Sequence, residues 1–389
     1  MDEKSMKCVS LFSARVKWET RPLPQGEREY ATHFTFRATL LLFNESKFLF
    51  AGFPRRTAFV KQIKVGTIGY GGAFNMGKHH INDMIKNKGF VPAAVCDLDA
   101  ERVKIAEQDF PGVQTYTDVA TMLRKSDVEL LVIILPHNVH AKVAIQCLNA
   151  GRHVVVEKPF AITVKECDDM IAAARRKKVL LSTYHNRHWD SNILTIMKHL
   201  SKIGRPFRWE SHAGGYNEPR EWWRSYKDIS GGIIYDWGAH FCEWMLQVMD
   251  YDMAEINGYM VKEVWKKFTN EDEMEAVVRF KGNAVASHTA SDICMSGKDM
   301  IRITGTKGAI VATHGSCDIF TKDENGARIK TSVPMEPARN SDYYKNVHDH
   351  LFHGKKLIIT PELARRVIQV LDYAGISARK GTAVKPKYK

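Results

Sequence analysis

The 389-residue chain predicts an α/β domain with a parallel sheet, followed by an α+β domain built on a large, mainly antiparallel sheet. Two changes of texture and one turn carry that expectation. Between Ile63 and Thr183, short aliphatic runs alternate with amphipathic stretches, the pattern of parallel β-α-β units. Beyond Tyr184 strand-like runs follow one another, separated by glycine turns such as Lys281-Gly282-Asn283 and Glu324-Asn325-Gly326, which suits antiparallel pairing. The first aliphatic run ends in the turn Gly69-Tyr70-Gly71-Gly72.

In chain order, Ile63–Ile68 is a strand, and the glycine turn leads into a helix from about Phe74 to Lys88. Val91–Asp97 is a strand, Ala100–Phe110 a helix, Val113–Thr117 extended and Val119–Lys125 a helix. Glu129–Leu135 is nearly all aliphatic and suits a strand buried on both faces. Val139–Ala150 has apolar residues at helical spacing and stops at Gly151, a residue suited to the left-handed position after a helix. After the strand His153–Val156, Thr163-x-x-Glu166 is a capping box that opens a helix to about Lys177, and Val179–Thr183 closes the unit. Further on, Trp189–Ile203 reads as helix, Pro206–Ala213 as strand, Glu218–Ser230 as a polar, Trp-rich loop and Asp236–Met249 as helix. Strands are expected at Ile256–Val264, Met274–Phe280, Ala284–Ser291, Met300–Thr304, Ala309–Thr313 and Cys317–Thr321, and the helix Pro361–Arg379 ends the fold.

These runs divide the chain into an extension at 1–59, a first domain at 60–184 and a second at 185–389. The extension lacks the charged, apolar and small-residue order of a signal peptide, and no apolar segment follows Arg55-Arg56 as a twin-arginine signal requires. It is expected to be poorly ordered or surface-docked and without a catalytic role; a working chain beginning near Val60 is the sharper expectation. The net charge of +13 is spread over scattered Lys and Arg residues, with no long basic block, so neither nucleic acid nor a membrane surface is an expected partner. No uninterrupted run reaches the ~18 apolar residues of a membrane helix. The seven cysteines, Cys8, Cys96, Cys147, Cys167, Cys242, Cys294 and Cys317, are odd in number and include no C-x-x-C pair. That favours free thiols in a reducing cytoplasm over a disulfide scaffold or structural zinc.

The turn Gly69-Tyr70-Gly71-Gly72-Ala73-Phe74 supplies two of three features of a dinucleotide-binding Rossmann turn: a glycine for the bend and one for backbone approach to pyrophosphate. Phe74 breaks the third, a small residue for close helix–strand packing. Asp97, at the end of the second strand, has two readings. It accepts the adenosine ribose hydroxyls, favouring NAD, or it caps the Ala100 helix; Arg102 nearby leaves NADP open. Glu157-Lys158-Pro159 follows a parallel strand at its C-terminal end, where open α/β sheets bind ligands, and a lysine there can hold a substrate oxygen. Asp236 and His240 stand four apart on one helix face, either as a carboxylate orienting a general-base imidazole or as a capping Asp and a core His.

The ordered set of the glycine turn, Leu135-Pro136-His137-Asn138 with His140, Ala150-Gly151-Arg152-His153 through Glu157-Lys158-Pro159, and Gly231-Gly232 through Asp236, Gly238 and His240 resembles the glucose–fructose oxidoreductase / inositol dehydrogenase (Gfo/Idh/MocA) family. The resemblance covers about 330 residues from Val60 onward, including Tyr343-Tyr344-Lys345-Asn346 and Gly354. It implies a Rossmann domain joined to an open-faced sheet domain that forms homo-oligomers, dimers or tetramers, through that sheet. It assigns substrate activation to Lys158 and the acid/base role to His240, with Asp236 beside them. It places Pro136, Asn138, His140, Glu157, Arg187, Trp223 and Arg224 along the cofactor and substrate cleft, with Gly69 to Phe74 and Asp97. Phe74, and Glu243 where an Asp is common, depart from the pattern. The implied activity is NAD(P)-dependent oxidation of a secondary hydroxyl of a sugar or polyol. The same architecture also serves NAD-dependent glycosidases that oxidise C3 transiently, and non-catalytic dinucleotide sensors.

No metal site is expected: His348, His350 and His353 do not share one helix face, and His79-His80 and His185/His188 lack ligand companions in a metal-site pattern. Arg220 and Arg224 hint at an acidic sugar or pair with Glu218 and Glu221. Trp189, Trp209, Trp222 and Trp223 have two readings, a sugar-stacking wall or core packing; packing is expected for each except Trp223, which adjoins Arg224 in a loop.

Overall fold

The computed structural model describes residues 61–389 except residue 73; the expected extension at 1–59 and the turn residue Ala73 lie outside the described residues. The parallel sheet is built from β1 (Ile63–Ile68), β2 (Phe90–Cys96), β3 (Gln114–Tyr116), β4 (Leu130–Ile133), β5 (His153–Val156) and β6 (Leu181–Thr183). Its strand order is β3-β2-β1-β4-β5-β6 and every pairing is parallel. Helices α1 (Met76–Ile85), α2 (Ala100–Asp109), α3 (Val119–Lys125), α4 (His140–Asn149) and α5 (Val164–Lys177) connect the strands. All four residues of β4 are fully buried, as a strand covered on both faces requires. Strand order reverses between β1 and β4, so the crevice beyond their C-terminal ends is where such a sheet accepts a ligand.

The second half adds α6 (Ser191–His199), β7 (Pro206–Gly214), α7 (Lys227–Ser230), α8 (Ile234–Val248), β8 (Met253–Val261), β9 (Glu273–Phe280) and β10 (Val285–Ser291). It continues with β11 (Ile301–Gly305), β12 (Gly308–Ala312), β13 (Cys317–Lys322), β14 (Arg328–Ser332), α9 (Asp342–His353) and α10 (Pro361–Lys380). These eight strands form one sheet in the order β14-β13-β12-β11-β7-β10-β9-β8. Only β7 and β10 pair in parallel; all other neighbours are antiparallel. Helix α8 packs on β7 and β10, and α10 on β8 and β9. The second contact is close: a Cβ on Gly258 would lie 2.0 Å from the Ala374 carbonyl oxygen. Alternate residues on the opposite face, among them Tyr259, Arg279 and Arg302, stay exposed.

Three local expectations needed correction. Helix α1 begins at Met76, not near Phe74, because Asn75 takes a left-handed conformation (φ 48°) before it. The expected helix Trp189–Ile203 is α6 flanked by two 3₁₀ turns, Asn186–Trp189 and Leu200–Ile203. Strand β14 was not foreseen: all five of its residues are exposed at the sheet edge, so it lacks apolar alternation.

The capping box of α5 forms as the sequence predicts. Thr163 Oγ1 accepts the Glu166 N–H at 3.2 Å, and Glu166 Oε2 accepts the N–H groups of Thr163 (2.9 Å) and Ile162 (3.0 Å). Thr163→Ala is expected to cost about 1 kcal/mol, read by urea denaturation with an unchanged m-value.

Candidate active site

The glycine turn is shaped by close approaches on one side and open space on the other. Gly69 has φ +92°, and a Cβ there would lie 2.0 Å from the Ile134 carbonyl oxygen at the end of β4. Gly72 has φ +89° with open space where a Cβ would sit, leaving its backbone accessible. At Gly71 an added Cβ would lie 2.2 Å from Arg102 Cδ, so the Arg102 side chain runs across the turn. The small residue that Phe74 seemed to deny is Gly77, whose Cβ would come within 2.8 Å of Tyr70 Cα. Phe74 instead points outward, 59% exposed, against Trp222 and beneath the Arg224 guanidinium. Asp97 Oδ2 accepts the Tyr70 N–H at 2.7 Å and Oδ1 the Asp99 N–H at 3.0 Å, while Asp99, not Asp97, caps α2. Asp97 therefore braces the turn.

Lys158 leaves the end of β5 next to a buried acid. Glu157 Oε2 accepts the Lys158 N–H at 2.8 Å and Oε1 lies 3.0 Å from His80 Nε2, whose other nitrogen is 2.6 Å from the Tyr344 hydroxyl. Burial works to raise the Glu157 carboxyl, but the His80 hydrogen bond and the Lys158 charge outweigh it and hold it below its ordinary value. His140 is fully buried, its ring bridging the Leu135 and Pro159 carbonyls at 2.7 and 2.9 Å, and Asn138 is exposed outside the cleft.

The first turn of α8 brings the second set. Gly232 is needed at its entrance: φ is +129°, and a Cβ would sit 2.7 Å from Glu271 Oε2, which accepts the Ile233 N–H at 3.3 Å. Asp236 Oδ1 receives Lys158 Nζ at 2.7 Å and Arg224 Nη1 at 2.8 Å, and Lys158 also reaches the Asp236 carbonyl at 3.2 Å. Burial works to raise this carboxyl, yet the two cations outweigh it and hold Asp236 ionised well below the usual range. The expected Asp236–His240 pairing is thus corrected: Lys158 and Arg224 take the carboxylate. Neither nitrogen of His240 bonds a described residue, and burial together with Lys158, His185, Arg187 and Arg224 keeps the ring neutral. His137, not foreseen as a site residue, packs edge-on against Trp223 at 4.8 Å and donates its Nδ1–H to the Ser230 carbonyl at 2.8 Å. It was quoted within the motif Leu135-Pro136-His137-Asn138, but nothing in the spacing marked it as a cleft residue.

These groups meet in a cleft of about 810 Å³ at the switch point of the parallel sheet, within the size of small-molecule sites. Its lining includes the turn residues Gly71, Gly72 and Phe74 with Pro136 and Glu157. Lys158, Asp236 and His240 line it too, with Arg187, Trp223 and Arg224. Tyr184 and Trp237 complete the wall. Glu243, buried, holds His188 at 2.7 Å and Gln247 at 2.9 Å. Among the described residues, His348, Asp349 and His353 bring potential metal-ligand atoms within 4.8 Å, but Asp349 already pairs with Lys345 at 3.0 Å and Lys355 at 2.8 Å. Two ammonium groups stand where a cation would be held.

Residues 63–185 match the model of an oxidoreductase family with an NAD-binding Rossmann fold, and residues 199–311 match the GFO/IDH/MocA C-terminal domain. The chain belongs to the Gfo/Idh/MocA family. Its parallel-sheet domain is an NAD-binding Rossmann domain, and the open space above Gly72 together with the backbone approach at Gly69 and Gly71 fits a dinucleotide. Within the family, it is similar to scyllo-inositol 2-dehydrogenase (NADP(+)) IolW of Bacillus subtilis, at 24% identity over 348 residues, 82% of this chain and 95% of the relative. Myo-inositol 2-dehydrogenase of Thermotoga maritima is 24% identical over 68% of this chain and 80% of its own length. The solved structure of an NAD-binding protein from Listeria innocua has the same fold, with a TM-score of 0.73 at 24% identity over 84% of this chain and 97% of that one.

Among the described residues of this Gfo/Idh/MocA member, Asp292 has no cation in direct contact, although the Lys262 charge nearby works to lower its carboxyl. Asp292, just after β10, accepts no side-chain hydrogen bond or ion pair from the described residues, and burial, with Asp272 nearby, pushes its carboxyl from 3.8 to about 6. The fold therefore binds this proton more tightly than the unfolded chain does, and stability is lost as pH rises through that interval. Asp292→Asn cannot ionise; it is expected to raise Tm by about 2–4 °C at pH 8 and by less at pH 4, measured by thermal denaturation. An equal or opposite change at the two pH values would show that the carboxyl is paired.

Proposed function

We propose that this chain is an NAD(P)-dependent dehydrogenase that oxidises a secondary hydroxyl of a sugar, a polyol of the inositol kind or a sugar derivative. The observation that carries it is the meeting of Lys158, Asp236 and an unpartnered, neutral His240 on the floor of the cleft into which the glycine turn opens. The inositol dehydrogenase activity named for two relatives supports the same class. When bound, a nicotinamide dinucleotide supplies the acceptor for the hydride that leaves the carbinol carbon. The side chains handle the proton and the charge. Lys158 donates a hydrogen bond to the substrate oxygen and stabilises the negative charge that develops there. His240, held neutral by burial and by its cationic neighbours, accepts the hydroxyl proton at a free ring nitrogen. Asp236 keeps the ammonium of Lys158 in place and balances it, while Arg224 fixes Asp236 from the other side.

Asp97, braced against the turn, favours NAD by repelling a 2′-phosphate; Arg102, lying across Gly71, is the group through which NADP would be accepted. The opposite face of the antiparallel sheet, with Glu210 and Arg302 paired across β7 and β11, is the surface through which a homo-oligomer would form. The six described cysteines are free and five are buried, which fits a reducing, cytoplasmic setting.

Lys158→Ala is expected to bind NADH as the wild type does, by fluorescence titration, and to lose about 10²–10³-fold in kcat. Turnover close to the wild-type rate would remove Lys158 from the chemistry. Activity itself is tested on a panel of polyols and sugars with either dinucleotide: one NADH or NADPH forms per substrate oxidised. Release of an aglycone without net NADH would replace the dehydrogenase with a redox-neutral glycosidase.

A further inference from the structure

The reaction cleft does not end at His240. Trp237, next to Asp236 on α8, also walls a small hollow shared with His137, Arg224 and Asp292, and beyond it a larger hollow of about 680 Å³. Trp237 lines all three, and Asp292 the two outer ones, so they follow one another along a common wall. The outer hollow is faced by His212, Tyr216, Trp237, Asp292, Lys298 and His314.

Two of its polar side chains, His212 and Asp292, have no hydrogen-bond partner among the described residues. His212 is 8% exposed, and neither of its ring nitrogens bonds a described residue. Asp292 presents a carboxylate with no hydrogen-bond donor on it, at the join between the two outer hollows. Buried polar groups are normally satisfied; the buried Nδ1 of His212 is an exception, and beside the half-buried Asp292 carboxylate it marks a place where partners are supplied from outside. A carboxylate accepts only, so what it takes must carry hydroxyl or N–H groups, and it opposes phosphate or carboxylate. Trp237 adds an aromatic surface 37% exposed, with His314 tilted against it at 5.7 Å. Apolar rings with a few converging polar groups form a pocket for a neutral, hydroxyl-bearing ring.

We propose that the substrate has two linked units: the sugar oxidised at Lys158 and His240, and a second sugar ring seated past Trp237 on Asp292 and His212. This deepens the dehydrogenase reading and rests on it for the first unit only. Free inositol or a monosaccharide would fill the inner site and leave the outer acceptors without donors.

The test is equilibrium binding to the enzyme saturated with NADH, by isothermal titration, so that no turnover is needed. The probes are D-glucose and myo-inositol against α- and β-linked disaccharides of glucose and galactose (maltose, cellobiose and lactose). At least one disaccharide is expected to bind ten-fold or more tightly than either single ring. Asp292→Asn, whose fold is checked by its Tm, is expected to erase that advantage while changing Kd for the single rings less than two-fold. Disaccharides that bind no better than single rings, or an advantage that survives Asp292→Asn, would overturn the second subsite. If the advantage and its loss are both seen but no probe is oxidised, the subsite stands and the dehydrogenase reading fails alone.

Discussion

The ion pair between Lys158 Nζ and Asp236 Oδ1, 2.7 Å apart, ties the end of the parallel sheet to the first turn of the helix beneath the antiparallel one. Both halves of the chain have to be in place before it can form, since Lys158 follows β5 and Asp236 opens α8. Arg224, from the Trp-rich loop, shares the same carboxylate oxygen, so a third element is gathered at this point. A single acid between two cations leaves a net positive charge in the cleft. That charge adds to burial in keeping His240 neutral, and it is also what would stabilise an alkoxide in the neighbouring space. The acid–base character of the site is therefore a consequence of how the two sheets are joined.

Behind the ion pair lies a second layer of constraint. The Lys158 backbone is held by Glu157, Glu157 by His80 on α1, and His80 by Tyr344 on α9. These links reach from the glycine-turn helix through the catalytic strand to a helix more than 180 residues downstream. His140 contributes from below by bridging the Leu135 and Pro159 carbonyls. Sequence spacing ranked His80 and His140 by motif or ligand pattern; their place in the structure shows them as supports that fix where the lysine stands.

Much of this was legible in the residues. The helix Val119–Lys125, the strand His153–Val156 and the capping box at Thr163 follow from local periodicity and local hydrogen bonding, which tertiary contacts did not override. What escaped were features decided at a distance. Gly77 replaces the small residue missing at position 74 because the turn is longer before α1 begins, and no local rule measures that length. Asp236 and His240 share a helix face, as their spacing requires, but the carboxylate is claimed by Lys158, 78 residues away, whose stronger charge outcompetes a neutral ring. Asp292 carried no motif, and His137 was read only as part of one; their places emerge from the fold, which leaves Asp292 and the second ring nitrogen of His137 without partners among the described residues.

The two ends of the extended cleft differ in what they ask of a ligand. At the inner end Lys158, Arg187 and Arg224 are donors, with one carboxylate already taken. At the outer end Asp292 is an acceptor without a donor, and its burial costs stability as pH rises above the ordinary carboxylate range. The unpartnered Asp292 acceptor at the outer end, where Lys298 is the cation, against three cations at the inner end, gives a bound molecule a direction. A two-ring substrate that meets a donor at the oxidised hydroxyl and an acceptor at its far ring cannot bind reversed without losing both, and this orients one hydroxyl, among several chemically similar ones, toward Lys158 and His240.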